Sequence, residues 1–166
     1  GAAFPFRGRF KSGNVAVRLG PDGSMFVGGT DRGWGARGGK RFALERCHFS
    51  GQLPFEILEI KAKSDGFLII YTEEVDQASA IEIKNYSISS YTYIYQSGYG
   101  SPVVDKSTPT IKSATLSSDK KSVHLKIDGL VKGNIHEINF PGVKNLKGKN
   151  LLHGVAYYTL NEIPSN

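Results

Sequence analysis

Asn14-Val15-Ala16-Val17-Arg18-Leu19-Gly20-Pro21-Asp22-Gly23-Ser24-Met25-Phe26-Val27-Gly28 is the stretch on which the fold turns. Val15, Val17 and Leu19 recur at a spacing of two, which is the period of a strand. Pro21 pre-sets φ for the first corner of a turn, and Gly23 accepts positive φ at its end. Ser24 to Gly28 then returns as a second strand, so the stretch predicts a β-hairpin. Outward from it, residues 28–40 hold six Gly in thirteen positions. A helix there would be entropically costly, and the segment reads as a loop. Arg41 to Phe49 reads as a third strand, with Phe42, Leu44, Cys47 and Phe49 expected to point inward.

The same pattern continues downstream. Phe55 to Lys63 and Phe67 to Thr72 flank Ser64-Asp65-Gly66 as a second hairpin. Val75 to Ser79 has the composition for one helical turn. Lys84 to Tyr95 reads as a long β-prone run, and Gln96 to Pro109 as a Gly/Ser/Pro-rich excursion. Further strands are expected at 110–116, 122–127, 136–140 and 155–160, with turns at Ser117-Ser118-Asp119, Asp128-Gly129 and Pro141-Gly142. Strands at roughly ten-residue spacing with such turns predict a sandwich. The expected class is all-β: an Ig-like β-sandwich over 56–166, preceded by β-hairpin strands over 1–55. Gly1-Ala2-Ala3 reads as a cloning remnant.

Composition narrows the function classes. The chain has 166 residues, 39% apolar content, a net charge of +6 and 20 Gly. One Cys excludes an intrachain disulfide framework and a thiolate-cluster metal site. No apolar run approaches the roughly 18 residues of a membrane span. The charge is uneven. Residues 1–55 carry nine cations and three acids, residues 56–166 carry twelve Lys and twelve acids, and every Arg lies at or before Arg46. The composition shift near Gly51–Phe55 marks the boundary between the two segments.

Two stretches carry a family resemblance. Asp22-Gly23-Ser24-Met25-Phe26-Val27-Gly28-Gly29-Thr30-Asp31-Arg32-Gly33-Trp34-Gly35 resembles the closing blade of six-bladed propellers of the soluble sugar (sorbosone) dehydrogenase-like kind. Leu53-Pro54-Phe55-Glu56-Ile57 leads into a segment similar to bacterial immunoglobulin-like modules. Its marks are Tyr71-Thr72-Glu73-Glu74-Val75-Asp76, Asn85-Tyr86-Ser87-Ile88, Tyr91-Thr92-Tyr93, Gly98-Tyr99-Gly100-Ser101-Pro102 and Ala156-Tyr157-Tyr158-Thr159-Leu160-Asn161. Together they resemble the C-terminal part of secreted multidomain bacterial proteins that join a propeller, an Ig-like module and a haem-binding domain. About one blade fits in 1–55, and there is no Cys-x-x-Cys-His haem motif. The resemblance implies an extracytoplasmic, non-catalytic accessory or scaffolding domain whose partners are the other domains of its parent, with no cofactor of its own. A carbohydrate-binding module and one blade of a quinoprotein sugar dehydrogenase are the alternatives.

Candidate ligand residues fall in two groups. Arg32, Trp34 and Arg37 lie in the Gly-rich loop, where successive N–H groups can cup an anion and the indole can stack on a ring. The loop lacks the Gly-x-x-x-x-Gly-Lys-Ser/Thr pattern and a following helix, which excludes a P-loop. Tyr91, Tyr93 and Tyr95, two apart, would share one face of a strand and could stack on sugar rings or on a partner domain. The spacing of Glu73, Glu74 and Asp76 is not that of an EF-hand Ca²⁺ loop. His124 and His136 could lie on neighbouring strands, but no acidic motif accompanies them and no metal is expected. No Gly-x-Ser-x-Gly elbow is present. Nucleic acid is disfavoured, since the cations sit among Gly turns and no RNA-recognition motif is present.

Overall fold

In a computed structural model of the chain, residues 1–33, 35 and 38–165 are described. The strands are β1 (Ala2–Ala3), β2 (Asn14–Leu19), β3 (Met25–Thr30), β4 (Phe42–Cys47), β5 (Ile57–Lys63), β6 (Gly66–Tyr71), β7 (Ser87–Tyr93), β8 (Val103–Ser107), β9 (Thr110–Leu116), β10 (Ser122–Asp128), β11 (Ile135–Asn139) and β12 (Val155–Thr159). The one α-helix of the described residues, α1, spans Gln77–Ile81, and a 3-10 turn follows at Ile83–Asn85. The molecule divides into a unit of Gly1–Pro5 with Pro54–Asn166 and a unit of Phe6–Leu53.

The larger unit is an all-β sandwich. One antiparallel sheet runs β1-β12-β11-β7-β8 and the other β5-β6-β10-β9. Side chains alternate across each strand. On β6, Phe67, Ile69 and Tyr71 are buried; on β10, Val123, Leu125 and Ile127; on β11, His136 and Ile138. The two inner faces meet directly: the Phe67 ring lies 5.6 Å from His136 and 4.9 Å from Tyr158. Burying this set supplies the driving force, at roughly 25 cal/mol per Å² of apolar surface.

Two sequence expectations are corrected here. The run from Lys84 is not strand throughout, because Lys84 and Asn85 lie in the 3-10 turn, capped by Glu82, and the strand begins at Ser87. The excursion contains a strand, β8, which pairs with β7. Ala2 and Ala3 pair with Tyr158 and Tyr157 of β12.

The smaller unit is a three-stranded antiparallel sheet, β2-β3-β4. Its hairpin turn is closed by Gly23 N donating to Gly20 O at 3.0 Å, with Gly23 at φ 76°. The register places Arg18, Phe26 and Arg46 side by side, with Phe42 and Leu44 on the same face. Phe42 and Leu44 are 69% and 77% exposed, and Phe49, Val15, Val17 and Leu19 are exposed as well. The expectation that Phe42, Leu44 and Phe49 point inward is therefore wrong: period two fixes which residues share a face, not whether that face is covered. Among the described residues of this unit, Val27 is the one apolar side chain that is buried.

Candidate functional site

The Gly-rich loop begins after β3. Asp31 anchors it, accepting from Gly33 N at 2.9 Å and pairing with Arg41 Nε at 3.3 Å. Arg32 is exposed and left-handed at φ 52°, and its amide donates to Thr30 Oγ1 at 3.1 Å. The Arg32 and Gly33 amides that could cup an anion are thus already bonded, and the Asp31 carboxylate beside them adds negative charge. Trp34 and Arg37 lie outside the described residues.

A Ser–His–Asp grouping sits at the hairpin turn. Ser24 Oγ lies 2.8 Å from Asp22 Oδ2 and 3.0 Å from His48 Nδ1, and accepts from Arg46 Nε at 3.1 Å. Arg46 also forms an ion pair with Asp22. The Ser24 hydroxyl holds the Asp22 carboxyl down at about 2, helped by the Ser24 amide and Arg46. This is not a nucleophile's arrangement. A catalytic triad runs Ser to His to carboxylate with the hydroxyl open to substrate. Here the carboxylate binds the serine itself, and Ser24 is buried. The network pins the turn.

The tyrosines are placed differently from one another. Tyr91 and Tyr93 share the outer face of the five-stranded sheet, ring centroids 5.7 Å apart and edge to face. Tyr95 does not join them: β7 ends at Tyr93, and Tyr95 is 102% exposed in the β7–β8 connection. Tyr91 and Tyr93 line a cleft of about 510 Å³ together with Ser89, Lys106, Ser107 and Glu137. Burial pushes the Tyr91 phenol up to about 12, with added repulsion from Tyr93, Glu137 and Tyr157.

A bulge shapes this cleft. Between the pairs Ser90–Ser107 and Thr92–Val104, β7 contributes Tyr91 alone while β8 contributes Asp105 and Lys106. Asp105 takes φ 51° to make this possible. Bulges of this kind re-aim side chains, and Lys106 becomes part of the cleft wall. Lys106 and Glu137 form no ion pair among the described residues. Sequence reasoning missed both. Glu137 follows the buried His136, and period two on that strand was the available signal. Lys106 had none, because its strand was hidden in a loop-like segment.

The other histidines and acids singled out in the sequence make contacts within the fold. His124 and His136 lie in different sheets, so they are not neighbours. His124 Nε2 meets Asp65 Oδ1 at 3.0 Å, while His136 is buried and its Nε2 accepts from Val131 N at 3.3 Å. His153 pairs with Glu56. Glu73 accepts from Asn145 Nδ2 at 2.8 Å, and Asp76 caps α1 by accepting from Ser79 N at 2.8 Å. No group of three His, Cys, Asp or Glu among the described residues is placed to hold a metal ion.

No family model and no curated protein matches the chain. Among solved structures it is similar to surface layer protein SbsC, domains 1–6, at 26% identity and TM-score 0.49, over 67% of this chain and 14% of that one. It is also similar to the S-layer protein rSbsC(31-844), at 26% identity and TM-score 0.48, covering 66% and 14%. The N-terminal part of the bacterial S-layer protein SbsC gives 23% identity and TM-score 0.49, covering 66% and 24%. This chain therefore spans a small part of the length of those proteins. Among the described residues, no helix is long and apolar enough to cross a membrane.

Proposed function

We propose that the chain is a non-catalytic accessory module of an extracytoplasmic multidomain protein, and that the Phe6–Leu53 sheet is the element that docks a second domain. The observation that carries this reading is the sheet's incomplete burial. Phe42 and Leu44 stand exposed on the face of β4 that also carries Arg46, and Val27 is the buried apolar side chain of the unit's described residues. A sheet that buries so little apolar surface gains little from burial, and exposed apolar surface on one face marks an interaction site. All of the chain's net charge of +6 lies in residues 1–55. The occupant that fits is a protein domain whose surface pairs apolar side chains with carboxylates. Phe26 already carries one guanidinium, Arg46, 5.4 Å above its ring.

Hydrogen exchange on the whole chain tests the docking element. Amides of β2–β4 should exchange much faster than those of β6, β10 and β11, and Phe42→Ser with Leu44→Ser should leave the sandwich's melting temperature unchanged. Equal protection of both units, with a large loss of stability in those variants, would show the sheet to be complete by itself. Sustained oxidation of aldoses by this chain with added quinone cofactor would overturn the non-catalytic reading.

A further inference from the structure

We propose that the cleft between β7, β8 and β11 binds the ring of an uncharged, hydroxyl-rich sugar, a pyranose unit of a neutral glycan, with Tyr91, Tyr93, Lys106 and Glu137 as the contacting residues. The site lies wholly in the sandwich and does not depend on the docking role of the Phe6–Leu53 sheet. Four observations converge on that ligand. The cleft holds about 510 Å³, within the usual range for small-molecule sites. Two tyrosine rings, 5.7 Å apart and edge to face, offer an apolar surface for the C–H face of a ring and phenols for its rim. An ammonium donor and a carboxylate acceptor stand in the same cleft without an ion pair between them; Glu137 Oε1 accepts from Asn139 Nδ2 at 3.5 Å, which leaves its second oxygen to accept from a sugar hydroxyl while Lys106 donates to another. Ser89 and Ser107 extend the set of hydroxyl partners.

Other ligands fit less well. Phosphates and nucleic acid would meet Glu137, and a purely apolar molecule would strip water from Lys106, Glu137 and the serines without replacing their hydrogen bonds. Addition of a peptide strand to the exposed edge of β8 is blocked, because the bulge at Asp105 interrupts the ladder that such a strand would extend. The left-handed backbone of Asp105, a non-Gly residue, is a strained conformation of the kind that persists at functional positions. Its effect here is to place Lys106 opposite Tyr91.

Calorimetry and amide chemical-shift titration on the whole chain test this, with cellohexaose, mannohexaose, xylohexaose and chitohexaose as neutral probes and polygalacturonate as the charged one. At least one neutral hexasaccharide should bind saturably and shift the amides of Tyr91, Tyr93 and Lys106. Tyr91→Ala and Lys106→Ala should each weaken it about tenfold or more, while Tyr95→Ala should not change it. Tyr93→Ala serves in place of Tyr91→Ala if the latter fails to fold. Absence of binding to every neutral probe at millimolar concentration, saturation by polygalacturonate alone, or undiminished binding in Lys106→Ala would each overturn the proposal.

Discussion

A methyl group at position 66 would lie 1.8 Å from the Leu125 carbonyl oxygen. Gly66 opens β6 immediately after the Ser64-Asp65 turn and pairs with Lys126 on the central strand β10. Backbone, not a flexible side chain, occupies the space, so it cannot yield cheaply. Gly66→Ala should therefore cost about 3 kcal/mol or more, seen as a lower urea midpoint for the sandwich with an unchanged slope. The glycines of the Gly-rich loop differ among themselves: a Cβ at Gly33 or Gly35 would meet nothing within 4 Å, whereas one at Gly38 would lie 2.4 Å from the Lys11 backbone. The turn signal at Ser64-Asp65-Gly66 was legible in sequence, but the reason that only glycine fits there was not. That reason comes from β10, about sixty residues further along the chain.

At the scale of elements, α1 is five residues long, too short to hold itself by backbone bonds alone. Asp76 caps it, Ser79 Oγ donates to the Asp76 carbonyl at 3.0 Å, and Tyr86 Oη donates to the Ala80 carbonyl at 2.7 Å. Asp76→Ala should cost about 1 kcal/mol and speed amide exchange at Ser79 and Ala80 without disturbing β6 or β10. The helical turn, the hairpins and strands such as Thr110–Leu116 were readable because each announces itself within ten residues. β8 was not. Val103-Val104-Asp105-Lys106-Ser107 is short, carries two charges and lies among Gly, Ser and Pro, so only its pairing with β7 makes it a strand. Tyr95 was misplaced for a related reason: its spacing continues the tyrosine row, but nothing in that spacing says where the ladder stops. The cleft inherits both difficulties, since its walls come from β7, β8 and β11 and no local window contains them together.

At the scale of the molecule, His136 is the buried core histidine whose charged form the sandwich disfavours. His136 is fully buried against Phe67, and burial pushes its imidazole below the ordinary value of 6.5. The folded state therefore favours the neutral ring, and the unfolded chain binds the proton first. Stability is fully present above pH 6.5 and is lost as pH falls below it, by at most about 1.4 kcal/mol per pH unit. Urea unfolding followed at the amides of β10 and β11 between pH 7 and 5 should show this slope, and His136→Leu should flatten it. The pairing of β1 with β12 has a consequence of another kind. Thr159 N donates to Gly1 O at 2.9 Å, and the register runs Ala2 to Tyr158 and Ala3 to Tyr157. A pulling force applied at residue 1 and beyond residue 159 meets these bonds one after another, as a zipper does, and not all at once in shear. Under tension of that direction the two-residue pairing of β1 with β12 opens from its end, Gly1 before Ala2 and Ala2 before Ala3.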